Sequence, residues 1–401
     1  MRVFLYVLPL VLALGQASAD PKYCLNEMVK SDERIRSHGY PAETHEVVTE
    51  DGYVLTLFRI PYSHKLNNQH LDRPPVLLQH GLFSNSDCWL CSGPDDSLAY
   101  LLADAGYDVW LGNARGNIYS RSNTEMSVNN PKFWHFDWHE IGTIDIAAMI
   151  DYILDETQHS QLHYAGHSQG TTVYLVLMSE RPEYNEKIKS GHLLAPCAFF
   201  EHGASPIFTL LSPLVGTPGG IWNQVFVDSE LIPHNNLINR IGDTACGHGS
   251  PFDSICKNGF LMFANGGYEN INLTSMQTLI ETHPGGSSGN QGIHYIQLSV
   301  SNKFRQYDWG TKKNLALYGQ ELPPDYDLSK ITAKTHSYSS HNDALCGPED
   351  VDTMVSKFTH LTEDHRVPLQ SFNHLDFIVA NNMKELVNDL IVERINTYES
   401  R

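Results

Sequence analysis

The chain has 401 residues, of which 41% are hydrophobic and 18% charged. This composition is typical of a globular protein, excludes a disordered or fibrous one, and provides enough length for a sizeable core with an inserted subdomain. The formal net charge of −19 argues against a nucleic-acid partner and against simple electrostatic docking on anionic lipid, because both attract basic surfaces.

The first 19 residues have the pattern of a removable signal peptide. Arg2 precedes an apolar run over residues 3–14, and small residues at 17–19 satisfy the usual cleavage rule. The run is shorter than the ~20 residues that cross a bilayer, and no later segment is apolar enough to span one. We therefore expect a secreted, extracellular protein, with the lysosomal lumen as the other destination.

Seven cysteines follow this segment, in a compartment that permits disulfides. The short loop between Cys246 and Cys256 makes them the favoured disulfide pair, and the odd count leaves at least one cysteine unpaired. Cys88 and Cys91 lack the second CxxC of a zinc site. The disulfide pairing stays open for Cys24, Cys88, Cys91, Cys197 and Cys346.

Asn272 begins the glycosylation sequon Asn-Leu-Thr, which suits a secreted surface.

Short β-rich runs alternate with helical stretches, which predicts an α/β fold with a mostly parallel central sheet and helices on both faces. Residues 45–49 and 53–60 flank an Asp-Gly turn and form the opening hairpin. The other predicted strands are 76–79, 108–111, 162–165, 192–194, 335–340 and 366–372, and the predicted helices are 97–105, 144–154, 171–180 and 376–399.

An inserted cap, or lid, is predicted over residues 199–320, where Pro and Gly punctuate short apolar pieces. The catalytic core would then consist of residues 20–198 and 321–401. Within the cap, residues 206–216 are the candidate for an apolar surface that seeks lipid interfaces, and ordinary cap core is the alternative.

The turn Gly166-His167-Ser168-Gln169-Gly170 joins a predicted strand to a predicted helix, the context that gives a G-x-S-x-G motif its meaning. The glycines allow a tight turn from which Ser168 projects as the nucleophile. Taken alone, the five residues also fit a surface turn with an incidental serine.

Two donors for a developing oxyanion are expected nearby. The loop that begins His80-Gly81-Leu82 follows the predicted strand 76–79, so we assign the backbone N–H groups of Leu82 and Gln169 to the oxyanion hole. The alternative is a tight loop that uses Gly81 only for its conformation.

The nucleophile needs a histidine base and an orienting carboxylate, which in this fold follow in the order Ser, acid, His. His374 and Asp343 each follow a late predicted strand and are assigned these roles. The alternatives are His341, His360 and His365 for the base and Asp350, Asp352 and Asp376 for the acid.

Two other patterns are interpreted as structural. His135 and His139 have metal-ligand spacing but no H-E-x-x-H pattern, so an aromatic packing patch is favoured. Residues 112–116 lack the features of a phosphate loop, and we expect Arg115 to pair locally. No metal or cofactor is predicted.

With the site placed, the chain resembles the acid lipase family, which groups gastric, lingual and lysosomal acid lipases with insect digestive lipases. The likeness covers nearly the whole chain after the signal peptide. Its motifs are residues 39–43, 49–53, 59–61, 80–82, 112–117, 166–170, 307–310, 348–351 and 373–377.

The resemblance implies an α/β-hydrolase fold and an esterase for neutral lipids, either triacylglycerols or cholesteryl esters, with a cap and without metal or colipase. It places the family's cap disulfide at Cys246 and Cys256. The chain departs from the family at Ala264, where mammalian members have a further cysteine, and before the acid, where Ser340 and His341 replace a glycine pair.

The substrate is expected at an oil–water or membrane interface, with no obligate protein partner. Two other functions remain open at this stage. One is an acyltransferase or narrow esterase that uses the same triad, and the other is a non-catalytic lipid-binding or yolk-type protein built on a lipase fold.

Overall fold

The computed structural model describes residues 28–202, 223, 226–234 and 269–399. The predicted signal peptide, the pair Cys246 and Cys256, and the apolar segment 206–216 lie outside the described residues. In the part that is described, no helix combines the length and the hydrophobicity that a membrane span requires.

Nine of the described strands form a single sheet. They are β1 (Glu43–Val48), β2 (Tyr53–Ile60), β3 (Pro75–Gln79), β4 (Asp108–Gly112), β5 (Ser122–Asn123), β6 (Leu162–His167), β7 (Ile188–Leu194), β10 (Thr335–Ser339) and β11 (Leu361–Arg366). The order is β1-β2-β4-β3-β6-β7-β10-β11, with β5 against β2. From β4 to β11 all neighbours are parallel, as predicted, and β1 and β2 form the predicted antiparallel hairpin.

Helices cover both faces of this sheet. The main ones are α1 (Ser31–Ser37), α2 (Leu98–Asp104), α3 (Trp138–Glu140), α4 (Ala147–Thr157), α5 (Gln169–Glu180), α6 (Leu273–Thr282), α7 (Gly289–Ser301), α8 (Thr311–Tyr318), α9 (Pro348–Val355), α10 (Asp376–Val379) and α11 (Asp389–Tyr398). Successive strand residues point to opposite faces. Leu77 therefore joins the core beneath α4 and α5, whereas Val76 and Leu78 join the core beneath α2 and α11.

The parallel arrangement brings the carboxyl ends of β3, β6, β7 and β10 side by side at one edge of the sheet. Every residue of β3, β4 and β6 is buried, as expected for strands that are covered on both faces. The loops that follow these strands therefore meet at the edge where open α/β sheets place their ligand sites.

The strand predicted at 366–372 is wrong, because the last strand of the sheet is β11 at Leu361–Arg366. Val367 still donates its N–H to the Ser339 carbonyl at 2.8 Å, but Pro368 has no N–H to continue the ladder. The polar sequence of β11 concealed it, and its place at the edge of the sheet explains why a polar strand is tolerated.

The single helix predicted at 376–399 is also wrong. α10 ends at Val379, and a wide π-helical turn at Lys384–Asn388 precedes α11. A distant segment interrupts the helix: Asn272 donates its N–H to the Val379 carbonyl at 2.8 Å, and Asn381 donates to the Asn270 carbonyl at 2.7 Å.

The described part of the predicted cap contains α6, α7, α8 and a small ribbon of β8 (Glu230–Leu231) and β9 (Ser287–Ser288). α7 packs directly on the hydrolase core, where the Tyr295 hydroxyl donates to Thr172 Oγ1 at 2.9 Å. The boundaries at 199 and 320 stay a prediction.

Candidate active site

Ser168 lies in the sharp turn between β6 and α5. Its φ of 55° is in the region that side chains rarely adopt. A Cβ on Gly166 would lie 2.6 Å from the Gly170 carbonyl, and a Cβ on Gly170 would lie 2.3 Å from the Gln79 carbonyl oxygen. Only glycine fits at these two positions. The turn is fixed further by the Ser168 N–H, which donates to the Leu194 carbonyl at 3.0 Å.

The structure brings Ser168, His374 and Asp343 together. His374 Nε2 lies 2.8 Å from Ser168 Oγ, and His374 Nδ1 lies 2.7 Å from Asp343 Oδ2. The side chains of His374 and Asp343 are buried. The second carboxylate oxygen accepts the backbone N–H groups of Leu345 and Cys346, both at 2.9 Å. The arrangement can move a proton from the hydroxyl to the imidazole and stabilise the resulting charge.

The alternative acids at Asp350 and Asp352 serve other contacts. Asp350 accepts the backbone N–H groups of Glu201 and His202, at 3.0 Å or slightly more, and so fixes the chain after β7. Asp352 forms an ion pair with Arg366. Among the described side-chain hydrogen bonds, none joins His341, His360 or His365 to Ser168 or Asp343.

Asp376 holds the turn that carries His374. Its Oδ2 accepts the Asn373 N–H at 2.8 Å and the Asn270 side-chain amide at 2.9 Å, while its buried Oδ1 has no partner. Burial raises the pKa of this carboxyl to about 6. The sequence offered Asp376 only as a rival acid, whereas its contacts make it a positioning residue.

The loop after β3 packs against the nucleophile, as the oxyanion assignment requires. A Cβ on Gly81 would lie 3.0 Å from the Cβ of Ser168. His80 Nδ1 donates to the Gly81 carbonyl at 2.8 Å, and burial lowers the pKa of His80 to about 4, which keeps the ring neutral. Within the described structure, neither the Leu82 N–H nor the Gln169 N–H donates to a protein acceptor. Both assigned donors are therefore free for a ligand.

Two further residues support the turn and were missed from the sequence. His167 is buried, and its Nε2 donates to the His374 carbonyl at 3.0 Å. Burial, and then the nearby His374 ring, lower the pKa of His167 to about 3. The side-chain amide of Gln169 donates to Gln291 Oε1 of α7 at 2.7 Å. Nothing local could have identified Gln291, which is 122 residues away along the chain.

A disulfide joins Cys197, which follows β7, to Cys346, which follows β10, with their Cα atoms 5.2 Å apart. From the sequence alone, this pairing stays open. No local signal pointed to this pair, because β7 and β10 are known to be neighbours only once the sheet is formed. Cys88 and Cys91 are buried free thiols, and burial raises the pKa of Cys91 to about 12, which makes redox chemistry at this pair unfavourable.

Asn272, the candidate glycosylation site, caps α6. Its side-chain oxygen accepts the N–H groups of Thr274 and Ser275, and Leu273 in the middle of the sequon is 68% exposed. Glycosylation at this position stays a prediction.

The two histidines with metal-ligand spacing have separate partners. His135 Nδ1 lies 2.7 Å from Asp228 Oδ1, whereas His139 Nδ1 lies 2.8 Å from the Tyr326 hydroxyl. Trp138 between them is fully buried in aromatic packing. In the described ranges, one group of three potential metal ligands is present. It consists of Cys197, Cys346 and His374, and its two sulfurs are already bonded to each other.

Arg115 pairs locally, as predicted, with Asp51 and Asp145.

Comparison with known proteins agrees with this geometry. The profile of a partial α/β-hydrolase lipase region matches residues 31–93, and that of the α/β-hydrolase fold matches residues 74–389. Lipase 3 of Drosophila melanogaster is 43% identical over 369 residues, which cover 92% of this chain and 93% of that protein. Gastric triacylglycerol lipase of Bos taurus is 37% identical over 381 residues, which cover 94% and 93%.

Solved structures show the same fold. A putative lipase from Sulfolobus solfataricus superposes with a TM-score of 0.57 at 14% identity, covering 90% of this chain and 99% of the other. The fold, the turn at Ser168 and the extent of these likenesses lead to one conclusion: the chain belongs to the acid lipase family of α/β-hydrolases.

Proposed function

We propose that this enzyme is secreted and hydrolyses carboxylic esters of neutral lipids, with triacylglycerols as the main substrate class, through Ser168, His374 and Asp343. The proposal depends most on the continuous hydrogen-bonded relay from hydroxyl to imidazole to carboxylate, at 2.8 and 2.7 Å. The name of the bovine relative, a gastric triacylglycerol lipase, supports the substrate class. Cholesteryl esters are the second class to test.

In the first half of the reaction, Ser168 Oγ attacks the ester carbonyl carbon while His374 Nε2 takes the hydroxyl proton. Asp343 keeps the His374 Nδ1–H directed towards itself and stabilises the imidazolium. The oxygen that gains negative charge lies between the N–H groups of Leu82 and Gln169. His374 then protonates the leaving alcohol, and the acyl group stays on Ser168.

In the second half, water attacks the acyl-enzyme while His374 takes one of its protons. The same two N–H groups hold the second oxyanion. Collapse of this intermediate returns the proton from His374 to Ser168 Oγ and releases the fatty acid. Every group in this cycle belongs to the protein, the ester or water.

The substrate reaches the site from an oil–water or membrane interface in this proposal. Residues 206–216 are the candidate for the surface that contacts lipid, and the predicted signal peptide directs the chain into the secretory route, with the lysosomal lumen as the other destination. No nucleic acid and no obligate protein partner enters the proposal.

The test is hydrolysis of emulsified triolein and cholesteryl oleate by purified wild type and Ser168→Ala. We expect Ser168→Ala to lose on the order of 10⁴- to 10⁶-fold in kcat, because the nucleophile is removed. Ser356→Ala, at an exposed position in the turn after α9, is the matched control and should keep full activity. Wild type that binds lipid without turnover would favour the non-catalytic alternative, and ester exchange onto added alcohols in place of hydrolysis would favour the acyltransferase.

A further inference from the structure

We propose that the disulfide between Cys197 and Cys346 is a positioning element of the active site. It ties the loop that carries Asp343 to the start of the nucleophile helix, so that breaking the bond slows acyl transfer in a protein that stays folded. The inference rests on the proposed function, because the position of Asp343 matters only if the triad performs the reaction.

The Cys346 end of the bond is one hydrogen bond away from the acid. The Cys346 N–H donates to Asp343 Oδ1 at 2.9 Å, and the other oxygen of the same carboxylate lies 2.7 Å from His374 Nδ1. A shift of the Cys346 backbone therefore changes the orientation of the carboxylate towards the imidazole.

The Cys197 end is bonded to the first turn of α5. Its N–H donates to Thr171 Oγ1 at 3.0 Å, and its carbonyl accepts from Thr172 Oγ1 at 2.7 Å. Thr171 in turn donates through its hydroxyl to the Ser168 carbonyl at 2.6 Å. Cys197 is thus fixed to the same turn that presents the nucleophile.

The disulfide is buried beside the base. Cys197 is 4% and Cys346 is 2% exposed, and one of the His374 ring nitrogens lies within 4.8 Å of both sulfurs. The loop from Asp343 to Cys346 has no regular secondary structure that could hold it. The covalent bond links elements 149 residues apart in the chain and closes a loop that contains Asp343, whereas Ser168 and His374 lie outside this loop.

A disulfide that only stabilises the fold and a disulfide that positions a catalytic group have different effects when they are lost. Loss of a purely stabilising disulfide lowers the unfolding temperature but leaves kcat of the folded enzyme unchanged. Loss of a positioning element lowers kcat, because a displacement of about 1 Å in a catalytic group costs up to roughly 100-fold in rate. The KM for a small soluble ester should stay nearly unchanged, because the acid does not contact the substrate.

The first experiment compares Cys197→Ala/Cys346→Ala with wild type on a water-soluble short-chain ester, below the unfolding temperature of each protein. We expect kcat to fall roughly 10- to 100-fold with KM within about twofold. The matched control, Cys88→Ala/Cys91→Ala, also removes two buried sulfurs and should keep kcat within about twofold. Unchanged kcat in the first variant overturns the proposal, whatever its unfolding temperature.

A double-mutant cycle then tests whether the effect passes through the acid. Removing the disulfide from an Asp343→Asn background should lower kcat by less than about threefold, because the group that it positions is already lost. Equal losses in both backgrounds would show that the bond acts elsewhere and would overturn the proposal.

Reduction of the native enzyme covers the case in which the cysteine variant does not fold. Dithiothreitol supplies two electrons and two protons, the S–S bond becomes two thiols, and the reagent leaves as its cyclic disulfide. A chelator prevents the freed thiols and His374 from capturing metal. Activity should fall in step with reduction of Cys197 and Cys346, followed by mass spectrometry, and return on reoxidation. Activity that persists after this bond is reduced overturns the inference.

The two proposals fail separately. An active Ser168→Ala protein refutes the proposed function. An inactive Ser168→Ala protein together with a fully active disulfide variant refutes only the positioning role.

Discussion

The nucleophile turn and the acid loop are positioned in opposite ways. Ser168 is placed by neighbours along the chain: β6 ends, two glycines allow the turn, and α5 begins at the next residue. Asp343 lies in an irregular loop and depends on distant groups, the His374 ring and the disulfide to Cys197. Short motifs can therefore identify the first region, whereas the second depends on which strands of the sheet become neighbours.

The largest effect should come from the acid loop. We expect Asp343→Asn to lower kcat by on the order of 10⁴-fold, because an amide favours the wrong imidazole tautomer and cannot stabilise the imidazolium. Asp352→Asn, which removes a carboxylate paired with Arg366, is the control and should leave kcat unchanged. The measurement is kcat on a soluble ester, and a loss below tenfold would contradict the assignment of the acid.

In the nucleophile turn, activity should depend on the backbone geometry that its glycines allow. We expect Gly170→Ala to lower kcat by more than roughly 100-fold and to destabilise the fold by about 3 kcal/mol, because its Cβ would meet the Gln79 carbonyl at 2.3 Å. The control is Gly292→Ala in α7, where the nearest atom is the end of Leu231 at 3.3 Å. Urea unfolding measures the stability of each variant, and an assay on a soluble ester measures its kcat. Equal stability of the two variants would remove the steric reason for glycine in the motif.

The smallest effect concerns Asp376, which joins the local Asn373 to the distant Asn270. Its pKa is raised to about 6 in the folded protein, so folding favours the protonated carboxyl. The stabilisation is fully present below about pH 4 and is lost as the pH rises through about 6. The side-chain amide in the Asp376→Asn variant does not titrate, so this variant lacks the effect. Between pH 4 and 7, wild type should lose roughly 2 kcal/mol relative to this variant.

This difference is measured by urea unfolding of both proteins at several pH values. Other ionisable groups contribute equally to the two proteins and cancel in the comparison. Parallel stability curves for wild type and variant across this pH range would contradict the raised pKa of Asp376.

Sequence reasoning reached much of the core and of the site. The opening hairpin and the strands that became β3, β4 and β6 lie where they were predicted, because continuous apolar runs and an Asp-Gly turn are local signals. The three residues predicted as nucleophile, base and acid also lie in contact. The motif around Ser168 is local, and Asp343 and His374 were chosen from their rivals because each follows a predicted late strand in the order that this fold requires.

The remaining features depend on contacts between distant segments. β11 is polar because it lies at the sheet edge, so its hydrophobic pattern is weak. The break after α10 exists because residues 270–272 pair with the chain at Val379 and Asn381. The bond between Cys197 and Cys346 follows from β7 and β10 being neighbours, and that order is known only once the sheet is formed.

The pairing of β7 with β10 also sets when, during synthesis, the enzyme can become active. Ser168 and its oxyanion donors belong to the first half of the chain, but Asp343 and His374 follow β10, which docks beside β7 only after the intervening 140 residues have been made. A nascent or truncated chain that ends before β10 thus has the nucleophile without its base or acid. The order of the strands thus delays assembly of the complete triad until β10 and the residues that follow it have been made.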